Sequence, residues 1–159
     1  MSQLTFQEFL TTFNELYSAS SGVYHMLAKQ FGLSDCAFWI LYTIRERKRP
    51  FTQAALCAAL SLPKQTVNSA LKALERDGYL ALRSCEKSRR EKYIELTPAG
   101  ADFAVRTVDY VFELERRAFL QLAPEERAQL LRLSEKHLFA LKREAEALCR
   151  GEEAASRAD

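Results

Sequence analysis

The sequence has few of the residues from which metal sites and catalytic centres are usually built. Its 159 residues include only two histidines, His25 and His137, and four cysteines. The cysteines form no CxxC pair, and there is neither an HExxH motif nor a glycine-rich phosphate-binding loop. Paired carboxylates and a Ser/His/Asp arrangement are also absent. We therefore expect no enzymatic activity, no metal ion and no cofactor.

Long hydrophobic runs are missing as well. The longest, CAFWILYTI at residues 36–44, has about half of the roughly 20 residues that a helix needs to span a bilayer. The N-terminus lacks the basic segment and apolar block of a signal peptide. We therefore predict a cytoplasmic protein that makes no membrane contact, in which the cysteines are reduced.

Charge is distributed unevenly along the chain. Residues 45–92 contain 12 Lys and Arg against 5 Asp and Glu, a net charge of +7, whereas the remaining residues carry a net charge of −5. The formal total of +2 hides this contrast. A basic middle between acidic flanks predicts a localised binding site for a polyanion.

The first half of the chain has the periodicity of helices. Apolar residues at steps of three and four predict a long amphipathic helix over residues 4–30, bent or interrupted at SASSG, residues 18–22. Ser34 is a suitable N-cap for a second, mostly apolar helix over residues 35–47. Thr52 is a suitable cap for a short third helix in the segment FTQAALCAALSL.

The segment LPKQTVNSALKALERDG predicts a fourth helix. Pro63 suits its first turn, and Gly78 suits its end. The short third helix, a tight turn at Ser61 and Leu62, and the longer fourth helix have the spacing of a helix-turn-helix, whose second helix enters the DNA major groove. The predicted buried stripe of the fourth helix consists of Val67, Ala70, Leu71 and Leu74.

The exposed side of this helix-turn-helix carries side chains that suit DNA. Amides bond adenine edges, lysines reach guanine or phosphate, and hydroxyls bond phosphate. The fourth helix has no acidic residue before Glu75. An ordinary solvated helix would mix charges of both signs earlier. The predicted DNA contacts here are Thr52, Lys64, Gln65, Thr66, Asn68, Ser69 and Lys72.

A basic segment, RSCEKSRREKY at residues 83–93, follows this helix. It lies between two short alternating runs, YLALR and KYIEL, which predict a long-looped antiparallel hairpin. Arginine and lysine at such a tip suit the narrow, electronegative minor groove. We predict that Lys87, Arg89 and Arg90 contact double-stranded DNA.

The last third of the chain predicts two further helices. One is capped by Thr97, has Pro98 at its first position, and runs without interruption to about residue 122. The other begins at Pro124 and carries acidic residues in its first turn, where the helix dipole favours them. The terminal helices contain more large apolar residues than one small domain can bury, which predicts a shared interface between two copies.

Together these segments resemble a MarR-type winged-helix transcriptional regulator. The similarity extends over the whole chain and is most specific at TVNSALKALERDGYL and LTPAG. It implies a mainly α fold with a small β-hairpin wing, in which N- and C-terminal helices serve dimerisation. The single domain would cover residues 1–159. Its winged helix-turn-helix would lie at 34–96, and its dimerisation helices at 1–33 and 97–150.

The resemblance also implies how such a protein works. Members of this family are homodimers that read a pseudo-palindromic operator, and many release DNA when a small, often phenolic ligand binds. We therefore expect a ligand-responsive repressor whose partners are DNA, a second copy of itself and a small aromatic effector. The candidate ligand-lining residues are Tyr17, Tyr24, His25, Trp39 and Tyr42, although the same side chains suit core or dimer packing.

The wing departs from the family pattern, and two alternatives stay open. Family wings carry acidic residues where this chain has Cys85 and Ser88. Cations near Cys85 would lower the pKa of its thiol, so a cysteine-based redox regulator is one alternative. An inert thiol is the simpler interpretation. A winged helix that binds another protein instead of DNA is the second alternative, and the positive charge of residues 45–92 argues against it.

Overall fold

The computed structural model describes residues 4–47, 51–85 and 88–150, without the side chains of residues 84–91. This part of the chain is mainly helical, with one small sheet, as the sequence predicts. The elements in chain order are α1 (Phe6–Gln30), α2 (Asp35–Arg47), β1 (Phe51–Thr52), α3 (Gln53–Leu60), α4 (Lys64–Arg76), β2 (Leu80–Cys85), β3 (Ser88–Leu96), α5 (Pro98–Arg106), α6 (Val108–Leu120) and α7 (Pro124–Arg150).

The chain divides into two compact units, Met1–Glu113 and Leu114–Asp159. The first unit contains the sheet, α1 to α5 and the beginning of α6. The second contains the end of α6 and the whole of α7. None of the described helices is long and apolar enough to cross a membrane.

Three of the described helices begin at the caps that the sequence predicts. The Ser34 hydroxyl accepts the Ala37 N–H (3.2 Å), and the Thr52 hydroxyl accepts the Ala55 N–H (3.2 Å). The Thr97 hydroxyl accepts the Gly100 N–H at 2.9 Å and donates to the Gly78 carbonyl at 2.6 Å. These hydroxyls satisfy backbone N–H groups that the helices leave unpaired. Thr97 therefore also joins the start of α5 to the end of the α4 segment.

Two predictions about helix continuity are wrong. The segment SASSG does not interrupt α1, which continues through it to Gln30, since one interior glycine costs only about 1 kcal/mol. The single helix predicted after Thr97 is instead two, α5 and α6, which are separated at Thr107 (φ −120°, ψ −77°). The Thr107 hydroxyl donates to the Phe103 carbonyl (2.8 Å), and this side chain-to-backbone bond accompanies the change of direction.

The core of the first unit lies between α2, α4 and the sheet. Leu41, Leu56 and Leu74 are almost fully buried in it. The four residues predicted as the buried stripe of α4 all belong to this core, so that prediction is confirmed. In the last turn of α2, the Arg45 guanidinium binds the Asp109 carboxylate of α6 through two N–H groups, and the distance from Nε to Oδ1 is 2.8 Å.

The sheet is antiparallel, with the strand order β1-β3-β2. The predicted hairpin is confirmed. Strand β2 extends to Cys85 and β3 begins at Ser88, so the prediction of a long loop between the strands is wrong. Strand β1 was not predicted, because two residues carry no periodic signal. In β1, Phe51 pairs with Ile94, and its side chain is buried in the core.

Gly100 allows a close approach between α5 and the chain that follows α4. A Cβ atom at this position would lie 1.9 Å from the Tyr79 carbonyl oxygen. That oxygen accepts the Thr97 N–H (3.1 Å), so it cannot move without loss of the bond. A side chain at position 100 would therefore push α5 away from Tyr79, the residue that directly precedes β2.

We predict that Gly100→Ala lowers the free energy of unfolding by about 3 kcal/mol, because it forces two backbone segments apart. Urea denaturation at one fixed protein concentration measures this change. The matched control is Gly22→Ala, where a Cβ would meet nothing within 4 Å and stability should rise by up to about 1 kcal/mol. Equal denaturation midpoints for the two variants would contradict the prediction.

Candidate nucleic-acid interface

Helices α3 and α4 form a helix-turn-helix with a very short turn. Ser61 has a left-handed backbone (φ 52°, ψ 37°), and among described residues it is the one non-glycine with a positive φ. Its N–H donates to the Ala58 carbonyl, and the Leu62 N–H donates to the Cys57 carbonyl (3.2 Å). The left-handed residue ends α3 and lets α4 begin three residues later, at Lys64, directly after Pro63.

Burial of the apolar stripe decides which side chains of α4 face outward. At 100° per residue, Gln65, Ser69 and Lys72 lie opposite the stripe, and all three are exposed. The Ser69 hydroxyl donates to the Gln65 carbonyl (3.0 Å) within the helix. Arg76 continues this face and pairs with Asp77 (3.0 Å). The centre of the exposed face therefore presents one amide, one hydroxyl and one ammonium group.

A groove lies along one flank of α4, between this helix, the start of α3 and the sheet. Its volume is about 590 Å³, and Leu71 and Leu82 form part of its apolar lining. We call it the α4 groove. Its polar residues other than Glu75 are Thr52, Gln53, Lys64, Asn68, Lys72 and Lys92.

A more open depression lies on the opposite flank of α4. It is lined by Ser34 and Cys36 from the start of α2, and by Gln65, Thr66 and Ser69 from α4. The predicted DNA contacts of the helix-turn-helix thus fall into two groups. Thr52, Lys64, Asn68 and Lys72 lie in the α4 groove, whereas the other three lie along the depression.

Strand register places two neighbouring cations on opposite faces of the sheet. Leu82 pairs with Ile94, and Lys92 lies two residues before Ile94 on the same strand, so Lys92 shares the face of Leu82, Ile94 and the core. Arg83 pairs with Tyr93 and projects from the other face, where its Nε lies 2.8 Å from the Glu95 carboxylate. Lys92 therefore adds its charge to the α4 groove, and Arg83 does not.

Positive charge predominates in the α4 groove. Its charged lining residues are three lysines, Lys64, Lys72 and Lys92, and one carboxylate, Glu75. Within the described part of the chain, none of the three ammonium groups forms an ion pair with a carboxylate. The charge therefore faces solvent unneutralised, in the arrangement that attracts a polyanion.

Sequence reasoning did not include Gln53, Lys92, Leu82 or Glu75 in this surface. Gln53 is the first residue of α3, and its side-chain amide lies 3.5 Å from the Lys64 carbonyl. Lys92 and Leu82 could have been found from strand alternation, because they have the parity of the buried Ile94. Of the predicted wing contacts, Lys87 lies outside the described residues. Arg89 and Arg90 lie on β3, but their side chains, like that of Cys85, are outside the described part of the chain.

Three of the candidate ligand-lining residues form one aromatic group. Tyr24, Trp39 and Tyr42 pack in a chain of aromatic rings, with centroids 4.8 Å apart for the first pair and 5.1 Å for the second. Phe38 and Phe112 extend this aromatic cluster. Tyr17 is 71% exposed on α1. His25 instead joins α1 to α2, because its Nδ1 lies 2.9 Å from the Asp35 carboxylate.

Among the cysteines whose side chains are described, Cys36, Cys57 and Cys149 are free thiols. Burial raises the pKa of the Cys36 thiol, which also lies 3.8 Å from the Thr66 carbonyl. Cys57 lines the α4 groove, and Cys149 is exposed near the end of α7. Within the described ranges, no three side chains of His, Cys, Asp or Glu are grouped as metal ligands would be.

Comparisons with known proteins agree with this fold. The model of the MarR family matches residues 31–91. The HTH-type transcriptional regulator PecS of Dickeya dadantii is 33% identical in an alignment of 114 positions that covers 69% of this chain and 69% of PecS. The helix-turn-helix, the wing and this relative define a DNA-binding transcriptional regulator. The chain belongs to the MarR family, and that family consists of transcriptional regulators.

Solved structures show the same fold at low sequence identity. A MarR family regulator from Neisseria meningitidis superimposes with a TM-score of 0.73 at 22% identity, over 86% of this chain and 96% of that chain. The S. aureus MepR–DNA complex gives a TM-score of 0.68 at 22% identity, with coverages of 87% and 99%. BpsR of Bordetella bronchiseptica, whose DNA binding is regulated by 6-hydroxynicotinic acid, gives 0.65 at 18% identity, with coverages of 86% and 97%.

We predict that Cys36 is alkylated by iodoacetamide several-fold more slowly than Cys149 at pH 8. The raised pKa leaves less of the reactive thiolate, and burial restricts access. Mass spectrometry of peptides from timed samples measures both rates. The control is the protein unfolded in guanidinium chloride, in which the two thiols should react alike. Equal rates in the folded protein would contradict the prediction.

Proposed function

We propose that this regulator binds its operator as a homodimer and represses transcription by occupying the site. One observation carries the assignment of the DNA-contacting face: the exposed side of α4 bears amide, hydroxyl and ammonium groups, and no carboxylate before Glu75. A helix inserted in the major groove needs such donors toward bases and phosphates, whereas carboxylates would repel the backbone.

Within this face we propose that Gln65 reads bases. Its amide lies at the centre of the exposed side, opposite the buried stripe and near the start of α4. The N-terminal residues of a recognition helix are those that approach base edges. Ser69 and Thr66 stand beside it and suit phosphate or base contacts. Lys87, Arg89 and Arg90 of the wing remain proposed contacts to the neighbouring minor groove.

We predict that Gln65→Ala reduces the preference for the operator over an unrelated duplex by about 1–3 kcal/mol, because one base contact is lost. The operator is first selected from random DNA, and fluorescence anisotropy then measures both affinities at one salt concentration. Gln129→Ala on α7 is the matched control and should leave the preference unchanged. An unchanged preference in Gln65→Ala would remove this residue from the base-reading set.

The proposed dimer rests on apolar side chains that the single chain leaves exposed. No residue of the 27-residue helix α7 is buried. Leu131, Leu138, Leu141 and Leu148 follow one another at steps of seven, three and seven, and so share one stripe of the helix. Each is more than half exposed. On α1, Phe6 and Leu16 are also more than half exposed, so both terminal helices suit a shared interface.

We predict that Leu141→Glu converts the protein to a monomer at concentrations where the parent is a dimer, because it places a charge in an apolar interface. Sedimentation equilibrium measures the assembly state. Gln129→Glu adds the same charge on the polar side of α7 and should preserve the dimer. Circular dichroism checks that both variants are folded. A Leu141→Glu variant that remains dimeric would exclude this stripe from the interface.

We propose further that a small aromatic effector controls DNA binding. The support is the regulation of BpsR, a protein of the same fold, by 6-hydroxynicotinic acid. In this chain the half-buried rings of Tyr24, Trp39 and Tyr42 form a surface on which a planar molecule could stack. Tyr17 and His25 remain proposed neighbours of that site. Control of expression by the effector would follow from release of the operator.

A further inference from the structure

We propose that the α4 groove binds the sugar–phosphate strand that separates the DNA major groove from the adjacent minor groove, and that Lys92 contacts a phosphate there. The proposal rests on the proposed DNA-contacting face of α4. It assigns a function to the flank of α4 beside the sheet and adds a residue, Lys92, that sequence reasoning did not include.

The geometry of B-DNA requires a strand between the two contacts of a winged helix. Its major groove is about 12 Å wide and its minor groove about 6 Å wide, and one sugar–phosphate strand forms the boundary between them. A helix in the first groove and a wing at the second lie on either side of that strand. In this protein the surface between α4 and the wing strands is the α4 groove.

The chemistry of the α4 groove fits a phosphodiester strand. Lys64, Lys72 and Lys92 supply three ammonium groups from two different elements, and none is paired with a carboxylate within the described residues. Thr52 and Asn68 add donors that bind phosphate oxygens. Leu71 and Leu82 provide an apolar lining suited to deoxyribose. Binding of a small anion would require the positive charge of the α4 groove but not its extended, open shape.

This placement changes the expected role of Asn68. The sequence suggested that its amide reads adenine, but the helix directs it toward Lys64 and Lys72 in the α4 groove, where it is half-buried. We therefore assign Asn68 to the backbone strand and leave base reading to Gln65. Glu75 lies one turn beyond Lys72 and two turns beyond Asn68 and would repel phosphate, so it limits the length of strand that the groove holds.

Removing the Lys92 charge should weaken binding to all duplexes by a similar factor. With Lys92→Gln, the slope of log K against log salt should become shallower by about 0.9 for each protomer that contacts DNA, because one fewer counterion is released. That change corresponds to roughly eightfold weaker binding per protomer at about 0.1 M salt. The preference for the operator over an unrelated duplex should stay the same, in contrast to Gln65→Ala.

Arg83→Gln is the matched control, because Arg83 lies on the opposite face of the sheet and pairs with Glu95. It removes the same charge from the same hairpin and should leave the salt slope unchanged. Glu75→Gln removes the negative charge from the α4 groove and should therefore tighten binding to all duplexes. Thermal unfolding of each variant confirms that the fold is retained before anisotropy titrations at several salt concentrations.

The outcomes separate this inference from the proposed function. If the parent binds duplex DNA and Lys92→Gln has the parental slope and affinity, the groove does not hold the backbone, although the DNA-binding assignment stands. If Arg83→Gln and Lys92→Gln lose affinity equally, the charge acts at long range and the groove contact is excluded. If the parent itself shows no salt-dependent binding to duplex DNA, the proposed function and this inference both fail.

Discussion

Burial of one narrow stripe on α4 is the constraint on which the rest of this surface depends. Val67, Ala70, Leu71 and Leu74 occupy the core against α2, and this packing fixes the rotation of α4 about its axis. Every other side chain of the helix then has a set direction. Rotation by one residue, about 100°, would bury a lysine or an amide and expose a leucine. The arrangement of donors on the proposed DNA-contacting face is thus a consequence of core packing rather than of the donors themselves.

The sheet supplies the second half of this surface by the same logic. Ile94 must face the core, so Lys92 lies on the core-facing side and Arg83 on the other. Two cations that are close in the hairpin therefore have different tasks. Lys92 contributes charge to the α4 groove, whereas Arg83 pairs with Glu95 and ties the two wing strands together. Glu95, near the end of β3, is thus the carboxylate partner of Arg83. Wings of this family usually carry their acidic residues nearer the tip.

Sequence reasoning predicted the parts of this fold that depend on local patterns. The caps Ser34, Thr52 and Thr97 and the end of α4 near Gly78 follow from hydroxyl and glycine chemistry within a few residues. The break at Thr107 was missed although its hydroxyl bonds a carbonyl only four residues away. Strand β1 was missed because its pairing partner, β3, lies far along the chain. The same limit applies to the groove, since Lys92 and Lys64 are brought together only by tertiary packing.

Helix α7 has no buried residue within its own chain, although it is 27 residues long. Most helices in globular proteins owe their stability to packing of an apolar face. In the proposed dimer the energy that holds α7 therefore comes from association, and it follows the law of mass action. Dilution would destabilise α7 before it affects the core around Leu41 and Leu74. The protein's own concentration would then act as a variable that sets how much operator-binding dimer exists.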